Sequence, residues 1–69
     1  MTVHKHQFVT YRVHNQTISA IVRRVHRDGT ATVEARFVLD EEGNVTPGCY
    51  LGYRYRYAQS ALTPTARAI

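Results

Sequence analysis

Tyrosine and arginine alternate in one short segment of the chain, residues 50–57, which reads YLGYRYRY. In a β-strand, successive side chains point to opposite faces, so this order places Tyr50, Arg54 and Arg56 on one face and the other three tyrosines on the opposite face. Aromatic rings stack on nucleobases and arginines neutralise phosphates. The segment therefore predicts a nucleic-acid-binding strand in which Arg54 and Arg56 contact phosphates. Either Tyr50 or Tyr53 would then stack on a base.

The same tyrosines have a second interpretation, as part of the wall of a small β-protein. A domain of 69 residues needs most of its large side chains for its core. Buried tyrosines keep their hydroxyls at the rim, where these groups can form hydrogen bonds. On this interpretation Tyr53, Tyr55 and Tyr57 are partly buried, while Arg54 and Arg56 remain outside.

A second group of arginines lies near the middle of the chain. It comprises Arg23, Arg24 and Arg27, and a neighbouring strand can add Arg36. Guanidinium groups form paired hydrogen bonds with phosphates and with carboxylates alike. A phosphate site and a simple ion pair of Arg23 or Arg24 with Glu34 therefore both remain open.

Catalytic and metal-binding patterns are weak in this sequence. His4 and His6 lie two positions apart near the start of the chain, but no third or fourth ligand accompanies them, as a zinc site requires. The acids at 40–42 lack the ligand series of a calcium loop. No known triad spacing or glycine-rich phosphate loop is recognisable, and Cys49 is expected to be inert packing. We expect no enzymatic activity, no cofactor and no metal site.

The chain is small and basic: nine Lys and Arg against five Asp and Glu give a formal net charge of +4. Basic character favours affinity for polyanions, although it also serves solubility. A single cysteine favours a reducing compartment. The sequence contains neither an apolar leader region nor an apolar run long enough for a membrane helix. We therefore expect a soluble, cytoplasmic protein without membrane association.

The strongest structural signal is Thr17–Leu39, two β-like segments joined by Asp28-Gly29. Within it, Thr30–Leu39 alternates in the manner of a half-buried strand. Asp-Gly between two such segments is a strong hairpin signal because glycine accepts positive φ without steric cost. The segment therefore predicts a long central hairpin.

One register of this hairpin has a two-residue type I′ turn at Asp-Gly. It pairs Val22 with Ala35 and Ala20 with Phe37. Ile18, Ala20 and Val22 would then face the core.

The other register has a bulged turn, which pairs Val25 with Ala31 and Ile21 with Ala35. It buries Ile21 and Val25 instead, because a shift of one residue exchanges the two faces of a strand. We favour this register, since it places Val25 opposite Ala31. A second irregularity beside Ile21 would return Ile18 to the core.

Shorter elements surround the hairpin. They are a strand at Gln7–His14, a turn at His14–Gln16, a strand at Val45–Tyr57 that Pro47-Gly48 interrupts, a 3₁₀ turn within 58–62 and a brief strand at 63–65. The 3₁₀ turn should carry Leu62 inward. The expected organisation is a flexible tail at 1–6, one domain at 7–65 and a second tail at 66–69.

This order of elements resembles the SH3-like small barrel, the fold of SH3, Tudor and KOW-type modules. The residues that carry the resemblance are AIVRRVHRDGTATVEARF at 20–37 and YAQSALTPT at 57–65. The resemblance implies an all-β, five-stranded barrel with a long central Asp-Gly hairpin and a 3₁₀ turn before the last strand. An OB-like barrel is the alternative. The ALYDY-type motif of SH3 domains is absent, so binding of PxxP peptides is not implied.

Two binding functions follow from these observations. The preferred one is a nonenzymatic module that binds RNA or DNA. Its expected contact residues are Arg23, Arg24, Arg27, Arg36, Tyr50, Tyr53, Arg54 and Arg56. The alternative is a protein-interaction or homo-oligomeric assembly module that uses an edge strand or a tyrosine-lined groove; a third is an oligomeric small-molecule pore. One continuous basic surface would favour nucleic acid, and arginines paired with acids would favour a protein partner.

Overall fold

The computed structural model describes residues 3–46 and 50–65. Its strands are β1 (Phe8–Val13), β2 (Gln16–Val25), β3 (Thr30–Leu39), β4 (Arg54–Ala58) and β5 (Thr63–Pro64), with a 3₁₀ turn at Gln59–Ala61. The strands form one antiparallel sheet in the order β4-β3-β2-β1-β5. The all-β prediction is confirmed. Over the described residues the sheet is not closed into a barrel, because β4 and β5 are its two edges.

The turn expected at His14–Gln16 is present but comprises only His14 and Asn15, because Gln16 already belongs to β2. His14 and Asn15 have φ of 51° and 65°, and a type I′ turn requires positive φ at both of these positions. In β1 itself, Val9 and Tyr11 are buried whereas Arg12 is exposed. Buried and less buried side chains therefore alternate along β1, as in a strand that packs one face on a core.

The tip of the central hairpin has the favoured register. Val25 lies opposite Ala31, and Gly29 has a φ of 88°. The carboxylate of Asp28 accepts hydrogen bonds from the backbone amide and the hydroxyl of Thr30, at 3.0 and 2.6 Å. These bonds fix the turn locally.

A bulge at Arg23 changes the middle of the hairpin. Arg23 is an extra residue of β2 at this point, so the register shifts by one position. Ala20 consequently lies opposite Ala35, and Ile21 lies opposite Glu34. The predicted pairing of Ile21 with Ala35 is therefore wrong.

A second bulge restores the original register toward the base of the hairpin. Here β3 carries the extra residue, Arg36, opposite the step from Ser19 to Ala20. Ile18 is buried, as expected from a second irregularity in this region. The two bulges cancel, because each strand contributes one extra residue.

The core lies on one face of the sheet. Its buried residues are Val3, Val9, Tyr11, Ile18, Ala20, Val22, Ala31, Val33, Ala35 and Leu62. The prediction that Ile21 and Val25 lie inside is wrong: Ile21 is only partly buried and Val25 is 40% exposed. The bulge at Arg23 assigns the core face of β2 to positions 18, 20 and 22 instead. Val3 belongs to this core, although the sequence predicts a tail at 1–6.

The fourth strand is shorter than the sequence predicts. Val45 forms an isolated bridge with Leu39, and β4 begins only at Arg54. The extent predicted for this strand, Val45–Tyr57, is therefore wrong, because regular pairing covers only Arg54–Ala58. The interruption expected at Pro47-Gly48, together with Cys49, lies outside the described residues.

A bulge at Gly52 leads the chain into β4. The Gly52 amide donates to the carbonyl of Ala35, and the Ala35 amide donates to the carbonyl of Tyr53, at 2.9 and 2.7 Å. Gly52 has a φ of 76°, which suits the glycine position of a G1-type bulge. Gly52 therefore marks a bend at the entry to β4.

The chain ends its described part as predicted. The 3₁₀ turn is followed by Leu62, which is 5% exposed and belongs to the core. Thr63 and Pro64 of β5 pair with Thr10 and Val9 of β1. The expected tail at 66–69 lies outside the described residues.

Candidate functional site

The arginines and the tyrosines of the β4 segment lie on opposite faces of the sheet. Arg54 and Arg56 lie on the face of the sheet that also carries Glu34, the ion-pair partner of Arg54. The tyrosines of residues 53–57 lie on the opposite face, where they meet Tyr11 of β1. A ligand that packs on the rings from one side therefore does not reach the arginine side chains from that side.

Four tyrosines line a groove of about 310 Å³, which we name the tyrosine groove. The ring centres of Tyr11 and Tyr57 are 4.7 Å apart. Those of Tyr55 and Tyr57 are 6.0 Å apart, and those of Tyr53 and Tyr55 are 6.4 Å apart. These separations are typical of interacting aromatic pairs. The four rings therefore form one continuous aromatic wall.

The tyrosine groove is open and uncharged. Tyr53 and Tyr55 are 64% and 45% exposed. Within the described part of the chain, no Lys, Arg, Asp or Glu lines the groove, and His14 and Gln16 supply its other polar side chains. Exposed apolar surface that is contiguous marks interaction sites. The groove thus fits apolar side chains, with phenol hydroxyls available for hydrogen bonds.

Tyr11 anchors the tyrosine groove and is absent from the residues that the sequence predicts for a site. It is 6% exposed. Burial raises the pKa of its hydroxyl above the ordinary value of 10.0, and the nearby Tyr57 and Tyr55 raise it further. The Tyr11 phenol therefore stays neutral at physiological pH. The signal that could have found it is its position in β1, on the same face as Val9.

Glu34 holds two of the predicted arginines. Its carboxylate lies 3.2 Å from Nη2 of Arg23 and 3.4 Å from Nε of Arg54. The hydrogen bond from Arg23 lowers the pKa of Glu34 most; burial opposes this effect and Arg54 adds to it. The ion pair between Arg23 and Glu34, expected as the alternative to a phosphate site, is confirmed.

Arg56 is fixed to the tip of the central hairpin. Its Nη2 lies 2.7 Å from the carboxylate of Asp28, and its Nε donates to the hydroxyl of Thr30 at 2.8 Å. The pKa of Asp28 is lowered, first by the hydroxyl and amide of Thr30 and then by Arg56. These contacts tie β4 to the turn between β2 and β3.

Arg36 and Tyr50 belong to a separate aromatic cluster. The Arg36 guanidinium lies 5.3 Å from the ring centre of Phe8 and 5.5 Å from that of Phe37. Both distances are typical of cation–π contacts. The ring of Phe37 meets that of Tyr50 edge-on at 5.8 Å. This cluster shares no residue with the tyrosine groove.

Arg24 and Arg27 are exposed at the tip of the hairpin. The eight residues predicted for a nucleic-acid site thus fall into separate places: Tyr53 in the tyrosine groove, Arg23 and Arg54 on Glu34, Arg56 on Asp28, Arg24 and Arg27 at the tip, and Arg36 with Tyr50 in the aromatic cluster. The structure brings Arg23 together with Arg54, but it does not gather the eight residues into one surface.

Other classes of site find no match in the part of the chain that the structure describes. Within residues 3–46 and 50–65, no group of three or more His, Cys, Asp or Glu is placed to hold a metal ion. No helix in these ranges has the length and hydropathy needed to cross a membrane. Comparisons with protein-family models, with curated proteins and with solved structures find no similar protein.

Proposed function

We propose that this chain is a protein-interaction module whose tyrosine groove receives apolar side chains from an extended segment of a partner protein. The observation that carries this proposal is the row of four contacting tyrosine rings along an open, uncharged groove. Aromatic grooves bind extended peptides through ring packing, and tyrosine hydroxyls add hydrogen bonds. A volume of about 310 Å³ is at the small end for ligand pockets, which suits a few side chains of a peptide.

The arginines support a protein partner better than a nucleic acid. Arg23 and Arg54 already share Glu34, and Arg56 is paired with Asp28. Together these three arginines and two carboxylates carry only one net positive charge, which is little for the phosphate backbone of a nucleic acid. The arginines of β4 also lie on the opposite side of the strand from the tyrosines. Stacking and phosphate contacts would therefore require two separate faces of the sheet.

Nucleic-acid binding at the tip of the central hairpin is the second candidate function. It is favoured by Arg24 and Arg27, which are exposed there, and by the net charge of +4. Such binding would depend steeply on salt, because each neutralised phosphate releases counterions. The same two arginines therefore provide the variant that distinguishes the candidates.

We further propose an SH3-like fold with an open wall, in a cytoplasmic protein. The strand order places the last strand beside the first, and a 3₁₀ turn precedes it, in line with the resemblance of the sequence. The amide of Val3 donates to Oε1 of Gln59, and the ring of Tyr11 meets that of Tyr57. These contacts bring the two sides of the sheet together. A single cysteine suits a reducing compartment.

Selection of peptides from a random displayed library tests the proposed function. Peptides rich in apolar residues should be enriched, and isotope-labelled protein should show shifts at the tyrosine groove when they bind. Tyr53→Ala and Tyr55→Ala should each weaken binding by about tenfold, the usual cost of removing a central aromatic contact. Tyr50→Ala is the matched control, because Tyr50 is 48% exposed but lies outside the groove.

Variants of the groove and of the hairpin tip also distinguish peptide binding from nucleic-acid binding. If no peptide is enriched and oligonucleotides bind in a manner lost in the Arg24→Ala/Arg27→Ala variant, the hairpin tip is the functional surface. If selected peptides bind equally well to Tyr50→Ala, Tyr53→Ala and Tyr55→Ala, the groove is not the site.

A further inference from the structure

Hydrogen bonds on both sides of β4 define which of its backbone groups face the sheet. The Ala35 amide donates to the carbonyl of Tyr53 before the strand, and the Gln59 amide donates to the carbonyl of Gly29 after it. On the side of β4, the residues that form these two bonds are Tyr53 and Gln59, and both have odd numbers. In an antiparallel pair, residues that bond to the neighbouring strand alternate with residues that do not.

The backbone groups of Arg54 and Arg56 consequently point away from β3. Tyr55 and Tyr57, opposite Val33 and Ala31, use their amides and carbonyls within the sheet. β4 is an edge of the sheet, so no described strand covers its outer side. An edge of this kind is a template for pairing with another strand.

The side chains beside this edge favour carboxylates. Arg54 and Arg56 are 63% and 54% exposed. Together with Arg23 they face two carboxylates, those of Glu34 and Asp28, so these three arginines keep one positive charge that the two carboxylates do not compensate. Pairing β4 with β4 of a second copy would set arginines against arginines, and like charges on adjacent strands destabilise the pairing. The edge therefore fits an acidic strand better than another copy of itself.

We propose that the partner's extended segment joins the sheet as a further antiparallel strand along β4. Its residues alternate: apolar side chains continue the wall of the tyrosine groove, and glutamates or aspartates lie opposite Arg54 and Arg56. The apolar half of this description rests on the proposed function of the groove. The acidic half and the strand pairing rest on the edge itself.

Calorimetric titration with a synthetic peptide tests the proposal on the intact chain. The five central residues of the peptide, matching the length of β4, are Glu-Val-Glu-Val-Glu. Replacing the glutamates opposite the arginines by glutamine should weaken binding on the order of tenfold, since two cross-strand charge pairs are lost. The Arg54→Gln/Arg56→Gln protein should bind the original peptide more weakly by a similar factor. The Arg24→Gln/Arg27→Gln protein, which has the same net charge as that variant, should keep its affinity for the peptide.

Backbone methylation of the peptide tests strand pairing without any change to the protein. In the proposed arrangement the glutamate amides donate to the carbonyls of Arg54 and Arg56, while the valine amides point outward. N-methylation of the glutamates should therefore weaken binding on the order of tenfold or more, because each lost hydrogen bond is worth about 1 kcal/mol. N-methylation of the valines is the matched control and should leave the affinity within about twofold.

Each outcome decides a separate claim. Binding that tolerates methylated glutamates but is lost in Tyr53→Ala overturns the strand pairing and leaves the groove function standing. If N-methylation of the valines, and not of the glutamates, abolishes binding, the antiparallel arrangement is overturned. Equal binding of the glutamine peptide overturns the role of the arginines. A protein dimer whose contact excludes the peptide from β4 overturns the proposal as a whole.

Discussion

Replacement of Gly52 by alanine should destabilise the strand that carries the tyrosine groove. Gly52 has a φ of 76°, a region in which an L-residue costs about 1–2 kcal/mol. An alanine Cβ at this position would lie 3.3 Å from Cε1 of Tyr50. The Tyr50 ring is 48% exposed and can move aside, so the backbone cost dominates. We expect the free energy of unfolding to fall by about 1–2 kcal/mol.

Gly43→Ala is the matched control for this change. Gly43 has a φ of 83°, and nothing lies within 4 Å of an added Cβ. It should carry a similar backbone cost. However, Gly43 lies in the loop after β3, so its substitution should leave the bulge before β4 intact.

Two measurements distinguish a loss of global stability from a local disruption of the bulge before β4. In thermal unfolding, both Gly52→Ala and Gly43→Ala should lower the Tm. The expected decrease is about 4–8 °C for each kcal/mol of lost stability in a domain of this size. The Ala35 amide donates to the Tyr53 carbonyl within the bulge. Its hydrogen exchange should accelerate in Gly52→Ala by more than the loss of global stability explains. In Gly43→Ala it should accelerate only as much as global stability falls. Wild-type stability and exchange in Gly52→Ala would refute the bulge as the device that positions β4.

Three further predictions concern the core and the titrating groups. Leu62→Ala should cost about 2–5 kcal/mol in urea unfolding, because Leu62 is 5% exposed within the core; a loss below about 1 kcal/mol would contradict this packing. The pKa values of Asp28 and Glu34 are lowered from 3.8 and 4.5, so the unfolded chain binds more protons in acid. Stability should therefore fall as the pH drops through this range, less so in Glu34→Gln, and a flat profile for the wild type would count against both ion pairs. The pKa of Tyr11 is raised above 10.0, so the unfolded chain loses that proton first. Stability should then fall as the pH rises past 10.0, and Tyr11→Phe, followed by alkaline unfolding, should reduce that fall.

The sequence predicts most of the central hairpin but not the path of β2 through it. Asp-Gly and the alternation of β3 determine the tip, where Val25 meets Ala31. From the tip onward, the sequence leaves two registers with different buried faces as alternatives. The structure accommodates features of both, because the extra residue at Arg23 keeps the tip register and still buries Val22. A bulge depends on the packing of neighbouring strands, which alternation within one strand does not encode.

The separation of charges from rings follows from alternation, but their partners do not. Parity alone assigns Arg54 and Arg56 to one face of β4 and the tyrosines to the other. That Glu34 engages both Arg23 and Arg54 depends on which strands are neighbours in the sheet. Tyr11 joins the groove for the same reason: β1 and β4 are distant in the sheet order, yet their rings meet at 4.7 Å.

The most direct test of the proposed function is the binding of a library-selected peptide to isotope-labelled protein, compared with its binding to Tyr53→Ala and to Tyr50→Ala. We predict that shifts concentrate on Tyr11, Tyr53, Tyr55 and Tyr57. We also predict that affinity falls about tenfold in Tyr53→Ala and is unchanged in Tyr50→Ala. Shifts confined to Arg24 and Arg27 at the hairpin tip, with equal affinity for both variants, would contradict the assignment of the tyrosine groove as the binding site.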